Sequence, residues 1–129
     1  MKYFTIKELT KTNTGLKNEP NEIELQRLEY LINEVLDPVR EALGMPITVT
    51  SGFRTQEVNK KVGGVVTSQH CRGEAADLVC NDNAKLYTTI KRLGKYDQLI
   101  WEKGNDQQPA WVHVSYKFGI NRKQELRIR

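Results

Sequence analysis

The chain is poor in the residues that usually build metal and disulfide frameworks. Its 129 residues hold two cysteines, Cys71 and Cys80, and two histidines, His70 and His113. Two widely spaced cysteines exclude a disulfide scaffold and a four-cysteine zinc site. No apolar run approaches the ~20 residues that span a bilayer. The start, Met1 to Lys11, lacks the apolar stretch of a secretory leader. The expectation is therefore a protein made in the cytoplasm with reduced thiols and no membrane partner. Collagen, heptad and low-complexity patterns are missing, as are internal repeats. A strong charge bias is missing too: 20 basic and 16 acidic residues leave a formal charge of +4. Only the tail from Asn121 to Arg129 is locally basic, and it reads as a solvated final strand or arm. No nucleic-acid motif accompanies it, so no nucleic-acid partner is expected.

What is present suits one ordinary globular domain over residues 1–129, with 38% hydrophobic and 28% charged residues. Thr5 can cap a short helix containing Ile6 and Leu9. After a polar loop, Ile23, Leu25, Leu28, Leu31, Ile32, Val35, Leu36, Val39 and Leu43 recur at helical spacing up to Gly44. Pro38 should kink or divide that helix. The period then changes. Ile47–Thr50, Ala75–Cys80, Tyr96–Glu102 and Ala110–Tyr116 read as strands, with a further one near Leu126–Ile128. Helices are expected over Thr55–Val62 and from an Asn83 cap to Leu93. Helices first and antiparallel-looking strands later give an α+β class.

The two histidines draw attention to one acid. Asp77 shares a strand face with Ala75 and Val79, and a carboxylate on such a face is costly to bury unless paired or bound to a metal. Gly73 can turn the chain so that His70 and Asp77 converge. His113 shares its face with Trp111 and Ser115. Two His and one Asp on neighbouring segments suit a zinc site with an open fourth position. The same residues also fit a loop His, a strand-end Asp bonded to backbone, and a sheet His.

Ser51-Gly52-Phe53-Arg54, Asn59, Gly63-Gly64, Ser68-Gln69-His70, Gly73, Ala75, Asp77 and Trp111-Val112-His113-Val114-Ser115 together resemble the zinc D-Ala-D-Ala carboxypeptidases. That family includes phage L-alanyl-D-glutamate endolysins, and its fold is shared by the Hedgehog signalling domain. The resemblance runs from about Phe4 to Tyr116. It implies N-terminal helices packed on a small, mainly antiparallel sheet, and one Zn2+ held by His70, Asp77 and His113. It implies hydrolysis of peptide bonds in peptidoglycan stem peptides, by a monomer that reaches the wall after lysis or holin-type release. Arg54 would hold the substrate, with Ser68, Gln69 and Trp111 lining the cleft. Many family members carry an acid three residues before the last ligand, where this chain has Ala110. Glu102, at the end of its strand, is the replacement base, with Asp106 in the following turn as its rival. Two other functions stay open: a zinc-holding peptidoglycan-binding module without turnover, and a basic nucleic-acid-binding or metal-nuclease domain. Endopeptidase and carboxypeptidase action are not separated.

Overall fold

The computed structural model describes all 129 residues. Helix α1 (Ile6–Leu9) starts in a reciprocal cap, in which Thr5 Oγ1 accepts from the Glu8 N–H and Glu8 accepts from the Thr5 N–H. Helix α2 (Glu22–Leu31) begins the same way through Asn21 and Glu24. It runs through a π turn (Ile32–Leu36) into α3 (Asp37–Leu43), which ends at left-handed Gly44. The expected disturbance at Pro38 thus takes the form of a widened turn. The Asp37 N–H reaches back five residues to the Ile32 carbonyl, just ahead of a proline that has no N–H to give and a ring that crowds the previous turn. Ile23 departs from its expected place in the apolar stripe and is 61% exposed. Five helical steps separate it from Leu28, which turns it well away from the buried face.

The sheet follows in the order β1 (Thr48–Ser51), β2 (Ala75–Val79), β4 (Trp111–Ser115), β3 (Gln98–Glu102), β5 (Gln124–Ile128). The first three pairings are antiparallel and the last, β3 with β5, is parallel. Between β1 and β2 lie helix α4 (Gln56–Lys61) and a short 3-10 helix (Gln69–Arg72). Helix α5 (Asn83–Leu93) links β2 to β3. Its cap is Asp82, which accepts the Lys85 N–H, and not Asn83. Asn83 instead accepts the Cys80 N–H and donates to the Pro109 carbonyl, tying the helix start to the turn before β4.

Strand alternation gives the sheet two unlike faces. Ala76, Leu78, Leu99, Val112 and Val114 point into one hydrophobic cluster with Leu28, Leu31, Ile32, Val35, Leu36, Val39, Leu86 and Ile90 of the helices. Their neighbours Asp77, His113, Gln98, Ile100 and Glu102 face the other way and form the floor of a cleft of about 870 Å³. No helix is long and apolar enough to cross a membrane.

Candidate metal centre

The register sets Asp77 of β2 directly opposite His113 of β4, so two polar side chains meet on the face that the core does not use. The third, His70, comes from the 3-10 helix. Ser68 caps that helix by accepting the His70 N–H, and Gly73 ends it with φ 76°. A Cβ at Gly73 would lie 2.6 Å from the Glu24 carbonyl oxygen, so both the turn and the close approach require glycine. The chain then enters β2 and brings Asp77 back beneath His70.

His70 Nε2 lies 3.4 Å from Asp77 Oδ1, and His113 Nδ1 lies 3.1 Å from the same oxygen. The ligand atoms of all three residues fall within 4.8 Å of one another. His70 Nδ1 donates to the Gly52 carbonyl at 2.7 Å. That bond holds the ring with Nε2 facing Asp77, the arrangement that orients metal-binding histidines. Zinc ligands at ~2.0–2.1 Å in a tetrahedron stand about 3.3 Å apart, close to the two separations here. Nitrogen, carboxylate oxygen and nitrogen make a donor set that suits a divalent transition metal. These residues fit a single metal ion.

The other oxygen of Asp77 belongs to a different partner. Arg54 Nη2 lies 3.7 Å from Asp77 Oδ2. Arg54 Nε donates to Ser51 Oγ at 3.1 Å and Nη1 to Asn59 Oδ1 at 3.0 Å. Asn59 is itself buried and bonded to the Val65 carbonyl. Arg54 is therefore a held side chain at the edge of the cleft, not a loose surface cation. Burial alone would push the Asp77 carboxyl up, but hydrogen bonds from His113 and His70 outweigh it. The group ends well below the usual carboxylate range.

Glu102 lines the same cleft. It pairs with Trp111 across β3 and β4, while Ile100 pairs with His113, which makes Glu102 a diagonal neighbour of His113 on one face. Burial first, then the Asp77 charge, raises its carboxyl above the ordinary glutamate value, against smaller opposing effects of His113 and Lys103. Asp106 is elsewhere. It is exposed, outside the cleft lining, and paired with Arg127 and Arg129. Ala110 gives its N–H to the Glu102 carbonyl.

Ser68, Gln69 and Trp111 also line the cleft. Gln69 Nε2 donates to Asp97 Oδ2 at 2.9 Å, whereas Gln69 Oε1 and Trp111 Nε1 are buried without a partner. Asp97, just before β3, is a residue that the sequence pattern does not single out. It is fully buried and accepts from Arg122 Nη2 at 2.7 Å. The bond from the Arg122 side chain, with burial opposing it, leaves the Asp97 carboxyl well below the normal range. The tail is thus partly an arm of the cleft: Arg122 and Lys117 border it, and Arg127 and Arg129 are tied to Asp106. Arg122, Arg127 and Arg129 of the basic tail are each paired with an acid.

A family model described as Peptidase M15 matches residues 2–115. The chain is also 38% identical over 77 residues to a zinc D-Ala-D-Ala carboxypeptidase of Streptomyces albus G, an alignment that takes in 58% of this chain and 30% of that protein. It therefore spans about a third of that relative's length.

Proposed function

This chain belongs to the Peptidase M15 family, and we propose that it is a zinc peptidase that hydrolyses peptide bonds in peptidoglycan stem peptides. The observation that supports the reading is the convergence of His70, Asp77 and His113 on the cleft floor, with Arg54 and Glu102 facing the same space. The relative's name supplies the metal and the class of substrate.

In this reading His70 Nε2, Asp77 Oδ1 and His113 Nδ1 hold the ion. When bound, zinc supplies Lewis acidity, which polarises a carbonyl and makes water nucleophilic near neutral pH. Glu102 takes the proton of the attacking water and passes it to the leaving amine. A carboxyl raised by burial suits the first half of that transfer, because it is a stronger base toward the water proton than an ordinary glutamate. Arg54 places its guanidinium beside Asp77, where it orients the substrate carbonyl and steadies the negative charge that grows on its oxygen. Trp111 and Ser68 line the path of the peptide. Release from the cytoplasm by lysis or a holin would bring the protein to the wall.

Digestion of purified peptidoglycan with zinc, followed by identification of the new termini, tests the proposal. New amino and carboxyl termini at one bond type are expected. Loss of only the last residue of the stem means carboxypeptidase action, and an internal cut means endopeptidase action. Bound zinc and bound muropeptide with no new termini would leave the non-hydrolytic binding module in its place.

A further inference from the structure

The family match ends at residue 115, yet the chain beyond it supplies Lys117, Arg122 and Ile128 to the cleft wall. This segment is fastened at both ends. β5 pairs with β3 along its length. The Arg122 N–H donates to Asp97 Oδ1 at 2.9 Å, alongside the side-chain bonds to that buried carboxylate. Ahead of both, Lys117 and Asn121 close a loop: the Lys117 N–H donates to Asn121 Oδ1 at 2.8 Å, and Asn121 Nδ2 donates back to the Lys117 carbonyl at 3.0 Å. Lys117 is thereby kept just past Ser115, at the far end of β4 from Trp111 and Glu102.

Charge pairing at this end is uneven. Arg72 Nε is bonded to Glu74 at 2.7 Å, and Arg122 is bonded to Asp97 at 2.7 Å. Lys117 Nζ stands 3.9 Å from Asp97 Oδ2, beyond hydrogen-bond reach, and that oxygen already accepts from Arg122 and Gln69. One ammonium therefore borders the cleft with its donors uncommitted. A second observation lies beside it. Gln69 is only 7% exposed, and its Oε1 has no partner because its amide nitrogen is spent on Asp97. A buried acceptor in that condition is costly unless a ligand donor reaches it.

We propose that this end of the cleft is a subsite for a carboxylate carried by the substrate peptide, with Lys117 binding the carboxylate and Gln69 Oε1 accepting a neighbouring backbone N–H. The subsite rests on the peptidase reading and gives it a specificity: acidic peptides over their amidated forms. A charge-assisted bond supplies the preference. The arm after residue 115 supplies the cation.

The test uses the stem peptide L-Ala-D-Glu-L-Lys-D-Ala-D-Ala, which carries the bond named for the relative, and two versions of it, one amidated at the free glutamate carboxylate and one at the C-terminus. Binding to the whole chain is measured by calorimetry with and without zinc, and kcat/KM is measured with zinc. One of the two amidations should weaken binding about tenfold in the wild type, and Lys117→Gln should bring that ratio to about one. Equal binding of all three peptides, or the same discrimination in Lys117→Gln, overturns the subsite. If the zinc-loaded chain cuts all three peptides without discriminating, the subsite falls and the peptidase reading stands. If it neither binds nor cuts any of them, both fall.

Discussion

Glu102 and Asp106 lie four residues apart, and their surroundings separate them chemically. Glu102 faces the cleft beside His113, and burial raises its carboxyl. Asp106 is exposed and held by two arginines of the tail. Glu102→Gln should keep the metal and the fold while lowering kcat by at least ~10²-fold, the usual scale of a general base. Asp106→Asn should leave kcat near the wild-type value. Steady-state kinetics beside a zinc assay checks both, and the opposite pattern would move the base to Asp106. Arg54 offers a second contrast at this scale. Its Nε and Nη1 are anchored by Ser51 and Asn59 while Nη2 faces Asp77. A lysine keeps the charge but cannot satisfy three directions at once. Arg54→Lys should reduce kcat/KM by more than about tenfold with zinc content unchanged. Wild-type turnover in that variant would remove Arg54 from the mechanism.

Among the elements, Asp97 joins three. Its carboxylate takes Gln69 from the 3-10 helix and Arg122 from the arm, and its own N–H donates to the Ser115 carbonyl at the end of β4. Because its folded carboxyl lies well below the usual range, its stabilisation is fully present above the unfolded value of ~3.9 and is lost as pH falls toward the folded value. Urea unfolding of the metal-free chain should therefore lose stability steeply below about pH 4. Asp97→Asn should be less stable at pH 7 and flatter in acid. Parallel acid profiles for the two proteins would contradict this. Hubs of this kind are hard to read in a sequence. Period-two alternation in β2 and β4 already places Asp77 and His113 on faces opposite the core, and Gly73 already marks the turn from His70. The pairing of Asp97 with Arg122 joins residues 25 apart, Arg122 lies in a polar stretch with no periodic signal, and the return of β5 parallel to β3 brings the two together. The π turn was only half legible: Pro38 announces a disturbance, but packing of Ile32, Val35 and Leu36 into the core decides that the helix widens and continues. Residue preference alone points to Asn83 as the cap, and Asp82, one position earlier, takes it.

For the whole molecule, one face of one sheet carries the stability and the other carries the chemistry. The helices cover the apolar face, so the polar face is free to gather ligands from β2, β4 and the 3-10 helix without opening the core. A metal held by His70, Asp77 and His113 would cross-link three segments of the folded state and so stabilise it, since the unfolded chain offers no such site. The account stands or falls on whether that one ion is bound by these residues and is needed for hydrolysis. The direct measurement is a zinc titration of the metal-free chain and of His113→Ala, with bound zinc, Tm and stem-peptide hydrolysis read in the same samples. The account predicts that wild-type activity and Tm rise together and level off at one equivalent, while His113→Ala neither retains stoichiometric zinc nor hydrolyses peptide. Full zinc binding by His113→Ala, or wild-type hydrolysis indifferent to zinc, would contradict it.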